Sequence, residues 1–176
     1  LRSSSAASDV YKRQVYISGD IVPEVDAKIS IFDSAVLLGD TVTESTRTFN
    51  FKPFKLDEHL ERLYKSFKLT RINPQMTIEE MKKVSLELLE INKDNYKANE
   101  DCWLVHNISR GHSITGGNPA LQVSKPTVMI YTQPMNLVLW APFYTKGCHA
   151  VTPPTRMVPS QSLDARTVSY THLRDH

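Results

Sequence analysis

Between Thr41 and Phe49 the chain reads TVTESTRTF. β-Branched residues recur there with period two, and such side chains suit a pleated strand better than a helix. Alternation assigns Val42, Glu44, Thr46 and Thr48 to one face of that strand. Thr41, Thr43, Ser45, Arg47 and Phe49 go to the other. The second face is polar but lightly charged, which suits a cavity wall. Glu44 and Arg47 interrupt the strand from opposite sides, although a sheet interior tolerates little unpaired charge. Asn50 turns the chain into Lys52–Leu56, which predicts a hairpin.

Two amphipathic helices follow. Asp57–Leu69 places Leu60, Leu63, Tyr64 and Phe67 on one stripe, with Asp57 as its expected N-cap and Asn73-Pro74 closing the segment. Arg62 projects roughly 160° from that stripe, at about 100° per residue, so on geometry alone it is an exposed cation. The second helix opens with a capping box, Thr77 with Glu80, and carries Ile78, Met81, Val84, Leu88 and Ile91. The polar run from Asn92 to Glu100 ends it. Cys102–Arg110 and Thr127–Thr132 read as strands, separated by the Gly/Asn/Pro loop Gly111–Pro119. Upstream, Val15–Gly19 reads as a strand with a turn over Asp20–Pro23, and Ala27–Phe32 as a half-buried strand. Ser34–Asp40 reads as a bend. Met135–Pro142 loses periodicity as a linker does, and Ala150–Thr152 starts another strand. Strands grouped around a helical pair predict an α+β domain.

Composition narrows the function. The chain has 176 residues, 40% of them hydrophobic and 23% charged, the mixture of a folded domain. Lys plus Arg number 21 against 19 Asp plus Glu, a net +2, which argues against a nucleic-acid or acidic-membrane binder driven by net charge. The apolar runs Ala35–Leu38 and Leu137–Phe143 fall short of the roughly 20 residues of a membrane helix. Cys102 and Cys148 form no CxxC pair and suggest free thiols in a reducing compartment, so a soluble cytoplasmic location is expected. No GxGxxG, GxxxxGK[ST], HExxH or GxSxG occurs. His106 and His112 are poorly spaced for a metal, and none is expected. Glu79, Glu80, Glu87 and Glu90 read as solvated helix surface. Arg110 ends a strand just before a flexible loop, a common position for a binding residue.

The run SIFDSAVLLGDTVTESTRTFNFKPFKLDEHLERLYKSFKLTRI resembles the N-terminal domain of class IV (fold type IV) pyridoxal-phosphate enzymes, which include branched-chain and D-amino-acid aminotransferases and aminodeoxychorismate lyases. The matching elements are Asp33, Gly39-Asp40 before Glu44, the hairpin, and His59-Leu60-Glu61-Arg62-Leu63 opening the first helix. Ile108–Gly111 (ISRG) and Gly147–Arg166 extend the match. The resemblance implies the N-terminal domain of fold type IV, an antiparallel-rich sheet with two helices over 15–133. A linker over 134–145 and the start of a C-terminal domain over 146–167 would follow. It implies pyridoxal 5'-phosphate as cofactor, with Arg62 on its phosphate, because a dianion suits a planar, permanently charged guanidinium. Thr43, Glu44 and Arg47 match the strand that lines the substrate pocket, though Thr43 stands where many members carry an aromatic residue. Arg110 and Arg156 are implied near the site. Amino-acid and 2-oxo-acid substrates and a homodimer are implied as well, with no nucleic-acid or membrane partner.

One departure stands out. The Schiff-base lysine of the family is expected at the position of Val168, and no lysine lies between Gly147 and the end. SSSAASDVYKRQ and the closing VSYTHLRDH also resemble translated sequencing-adapter read-through. The expectation is therefore a fragment with non-native tails over 1–14 and 168–176, inactive as written, from a parent aminotransferase. The rival readings are a lyase and a non-catalytic α+β binding domain.

Overall fold

A single antiparallel sheet organises the described residues. In the computed structural model, residues 13–97, 100–112, 125–135, 137–152 and 154 are described. The strands are β1 (Gln14–Ile17), β2 (Asp20–Pro23), β3 (Thr41–Phe49), β4 (Lys52–Pro53), β5 (Cys102–Ser109) and β6 (Thr127–Pro134), in the order β2-β1-β6-β5-β3-β4. β5 lies in the middle, paired with β3 over Trp103–Ser109 and with β6 along its whole length. β1 pairs with β6, Tyr16 opposite Ile130, so the first of the described strands lies beside the last.

Helices α2 (Leu56–Thr70) and α3 (Ile78–Asn92) cover one face. Their apolar stripes meet the inward residues of the strands: Leu60, Leu63, Phe67, Met81 and Leu88 close on Val42, Leu104, Ile108, Val128 and Ile130. Burying side chains of this kind contributes about 1.5–3 kcal/mol each and fixes the register of every strand. The capping box forms as expected: the Glu80 N–H donates to Thr77 Oγ1 at 3.2 Å, and the Thr77 N–H donates to Glu80 Oε2 at 2.8 Å.

Several expectations need correction. Asp20–Pro23 is a strand, and the turn before it is Ser18-Gly19, both at positive φ. Ala27–Phe32 forms no strand. Its alternation is real, but no neighbouring ladder is available, and Ile31 and Phe32 stay exposed. The following bend is a short helix, α1 (Ser34–Leu38). Asp33 Oδ1 accepts from the Ala35 N–H at 2.9 Å to start it, and Gly39 at φ 66° ends it in the left-handed region that suits glycine. The N-cap of α2 is Lys55 at φ 53°, without a side-chain bond; Asp57 lies inside the helix and meets Lys82 at 2.6 Å. The linker region holds a helix, α4 (Leu137–Lys146), none of whose described side chains is buried, and Ala150–Thr152 forms no strand. No described helix is long and apolar enough to cross a membrane.

Candidate functional site

Alternation along β3 turns Glu44 towards the helices, where its side chain is only 1% exposed. A lone carboxylate so deeply buried requires compensating charge. The first turns of α2 supply it. Arg62 donates from Nε to Glu44 Oε2 at 2.7 Å and from Nη2 to Oε1 at 2.5 Å, a bidentate fork. His59, one turn earlier on the same helix face, brings Nδ1 to 2.8 Å from Oε1, and the Ser45 N–H donates to Oε1 at 3.1 Å. A carboxylate accepts only, so His59 Nδ1 carries its proton towards Glu44. The 3.3 Å approach of Arg62 Nη2 to that nitrogen then sets two donors side by side and is not a bond. The Glu44 hydrogen bonds push the Arg62 pKa up, so the guanidinium is permanently charged. Arg62 is thus no plain surface cation. One edge is fixed on Glu44, while its side chain remains 53% exposed and Nη1 has no partner among the described residues.

Behind Glu44 sits His106, its ladder partner on β5 and completely buried. His106 Nε2 lies 2.7 Å from Ser85 Oγ on α3, whose hydroxyl donates to the Met81 carbonyl at 2.7 Å. Burial pushes the His106 pKa down to about 4, so the ring is neutral near pH 7.

The other candidates lie apart from this cluster. Thr43 and Arg47 occupy the opposite face of β3: Thr43 Oγ1 donates to the His106 carbonyl at 3.1 Å, and the Arg47 guanidinium stacks 4.2 Å above the Phe49 ring. Arg110 binds Asp40 through Nε at 2.7 Å and the carbonyls of Arg71 and Thr70 at 3.0 and 2.9 Å. It thereby ties the C-terminus of α2 to the turn that leads into β3. Gly111 follows at φ 94°, and a Cβ there would lie 1.9 Å from the Lys125 carbonyl oxygen, so the approach of these two segments requires glycine. Asp33 completes the anchoring, with Oδ2 accepting from Thr127 Oγ1 at 2.5 Å. Arg156 and Val168 lie outside the described residues. Among the described residues no group of His, Cys, Asp or Glu could hold a metal.

Sequence reasoning gave no role to His59, His106 or Ser85. His59 was visible within the helix-opening motif. The pairing of Glu44 with His106 depends on β5 lying next to β3, which no local pattern reveals.

Comparison with known proteins gives a family. The profile of amino-transferase class IV matches residues 41–173. A Methanocaldococcus jannaschii protein provisionally named a branched-chain-amino-acid aminotransferase is 34% identical over 160 residues, covering 91% of this chain and 52% of the relative. An aminodeoxychorismate lyase of Bacillus subtilis is 35% identical over 117 residues, covering 66% of this chain and 39% of that protein. Among solved structures, the T.th. branched-chain amino acid aminotransferase complexed with N-(5'-phosphopyridoxyl)-L-glutamate matches at TM-score 0.75 and 22% identity. That match covers 93% of this chain and 52% of that one, and it shows the shared fold. The chain therefore spans about half the length of the M. jannaschii relative and of this solved structure. The profile starts at the first residue of β3, takes in Glu44 and Arg62 and spans more than half of the sequence, so the chain belongs to the amino-transferase class IV family.

Proposed function

We propose that the whole protein is a pyridoxal-phosphate-dependent aminotransferase that moves an amino group between an amino acid, branched-chain by preference, and a 2-oxo acid. The observation that carries the reading is Arg62, a permanent cation at the start of α2 with one edge anchored and the other open to solvent. That donor set fits the phosphate of pyridoxal 5'-phosphate, because a guanidinium held on one edge keeps its remaining N–H groups aimed at a dianion. When bound, the cofactor supplies an electron sink for negative charge at the α-carbon of the amino acid. The chain's own residues then divide the work. Arg62 holds the phosphate, and Arg47 on the other face of β3 offers a cation for a substrate carboxylate. Asp40 and Arg110 fix the turn from which β3 starts.

Proton transfer at the α-carbon and attachment of the cofactor fall to a lysine expected at position 168, where valine stands. The 176-residue chain is thus proposed to bind the phosphate without turning over. The whole protein is proposed to work as a homodimer in the cytoplasm. The names of the relatives support branched-chain substrates, and the lyase among them supports elimination from aminodeoxychorismate as a second reading.

The test is an amino-transfer assay on the protein extended to the length of its relatives, with lysine at 168. Release of a branched 2-oxo acid from leucine or valine is expected, with no such release from the chain carrying Val168. Turnover of aminodeoxychorismate without amino transfer would select the lyase, and neither activity would sink both readings.

A further inference from the structure

The resemblance sets Glu44 beside Thr43 and Arg47 as a lining of the substrate pocket. The geometry points elsewhere: we propose that Glu44 is the positioning residue of the phosphate site, aiming Arg62 at the cofactor and touching neither cofactor nor substrate. The proposal rests on the reading of Arg62 as the phosphate ligand.

Three observations carry it. First, Glu44 faces the helix side of the sheet, while Thr43 and Arg47 face the other, so one substrate cannot contact all three from one side. Second, its acceptor capacity is taken. Four N–H groups converge on its two oxygens, from Ser45, His59 Nδ1, Arg62 Nε and Arg62 Nη2. With roughly four lone-pair positions on a carboxylate, little remains for a substrate ammonium, and the side chain is 1% exposed. Third, the fork consumes Nε and one N–H of Nη2 and leaves Nη1 and the second Nη2 hydrogen outward. That edge is the part of a guanidinium that binds phosphate in bidentate fashion. Without Glu44 the long, flexible arginine side chain would have to be ordered by the ligand itself, which weakens binding.

Pyridoxine 5'-phosphate serves as the probe, since it lacks the aldehyde that reacts with surface lysines. Its dissociation constant, and that of pyridoxine without phosphate, are measured by calorimetry on the full chain and on Arg62→Ala, Glu44→Gln and Glu44→Asp. Parent protein should prefer the phosphate ester. Arg62→Ala should weaken the ester by about tenfold or more, as loss of charge-assisted bonds does, and leave pyridoxine unchanged. Glu44→Gln should weaken the ester about three- to tenfold, with Glu44→Asp, which retains the charge, in between. An independent readout needs no ligand: water exchange of the Arg62 Nε–H, slow by NMR in the parent, should accelerate in Glu44→Gln. If a folded Glu44→Gln binds the ester as tightly as the parent while Arg62→Ala does not, the positioning role is wrong and the phosphate reading stands. If Arg62→Ala also binds normally, or the parent does not prefer the ester, the phosphate reading itself fails. Should Glu44→Gln not fold, Glu44→Asp decides in the same way: ester binding and Nε–H exchange equal to the parent's overturn the proposal.

Discussion

His106 illustrates how a single residue ties stability to pH. Ser85 has one hydroxyl hydrogen and donates it to the Met81 carbonyl, so its 2.7 Å contact with Nε2 needs the imidazole as donor. Nδ1 is then a bare lone pair, and the ring is neutral. Its folded pKa of about 4 lies below the ordinary 6.5, and burial is the largest cause. Above pH 6.5 both folded and unfolded chains carry the neutral ring, and its contribution is constant. As the pH falls from 6.5 towards 4, only the unfolded chain gains the proton, and stability drops by on the order of 3 kcal/mol. Urea midpoints across that window should fall accordingly, and His106→Asn should flatten the slope while lowering the midpoint at pH 7. Gly111→Ala should cost about 1–3 kcal/mol, read as a lower melting temperature, because left-handed backbone and the Lys125 carbonyl both oppose a Cβ there. Neither role was legible locally: His106 read as a poor metal ligand and Gly111 as the start of a loop.

Elements with local signals formed where the sequence placed them. β3 has the expected bounds, and α3 starts at its capping box, because β-branching and a side-chain cap act within a few residues. Thr77→Ala should therefore cost about 1 kcal/mol, measured by denaturant unfolding. Elements that depend on a partner were misread. Ala27–Phe32 alternates like a strand but has no ladder, and Asp57 is a good cap residue on a helix whose N-cap, Lys55, lies two residues before it. Arg110 also makes contacts that its strand-end position does not reveal, because three elements meet at its guanidinium. Arg110→Met should cost about 2–4 kcal/mol, and a double-mutant cycle with Asp40→Asn should show strong coupling, as for half-buried charge-assisted bonds.

At the scale of the whole molecule, protection follows the sheet order. Amide exchange should be slowest in the middle of β5, paired on both sides, and fastest in α4, which buries no described side chain. Equal protection of α4 and β5 would show that something else covers that helix. The strand order also decides which charges can cooperate. Periodicity alone established that Glu44 and Arg47 point to opposite faces and that Arg62 leaves the apolar stripe of its helix, since period two and the helical repeat are properties of the backbone. Tertiary structure alone decided that Arg62 ends on Glu44, that His106 lies behind them, and that Arg110 closes the turn before β3. Those contacts join residues far apart in sequence, and only the burial of the common core, which selects one strand order and one register, brings them within hydrogen-bonding reach.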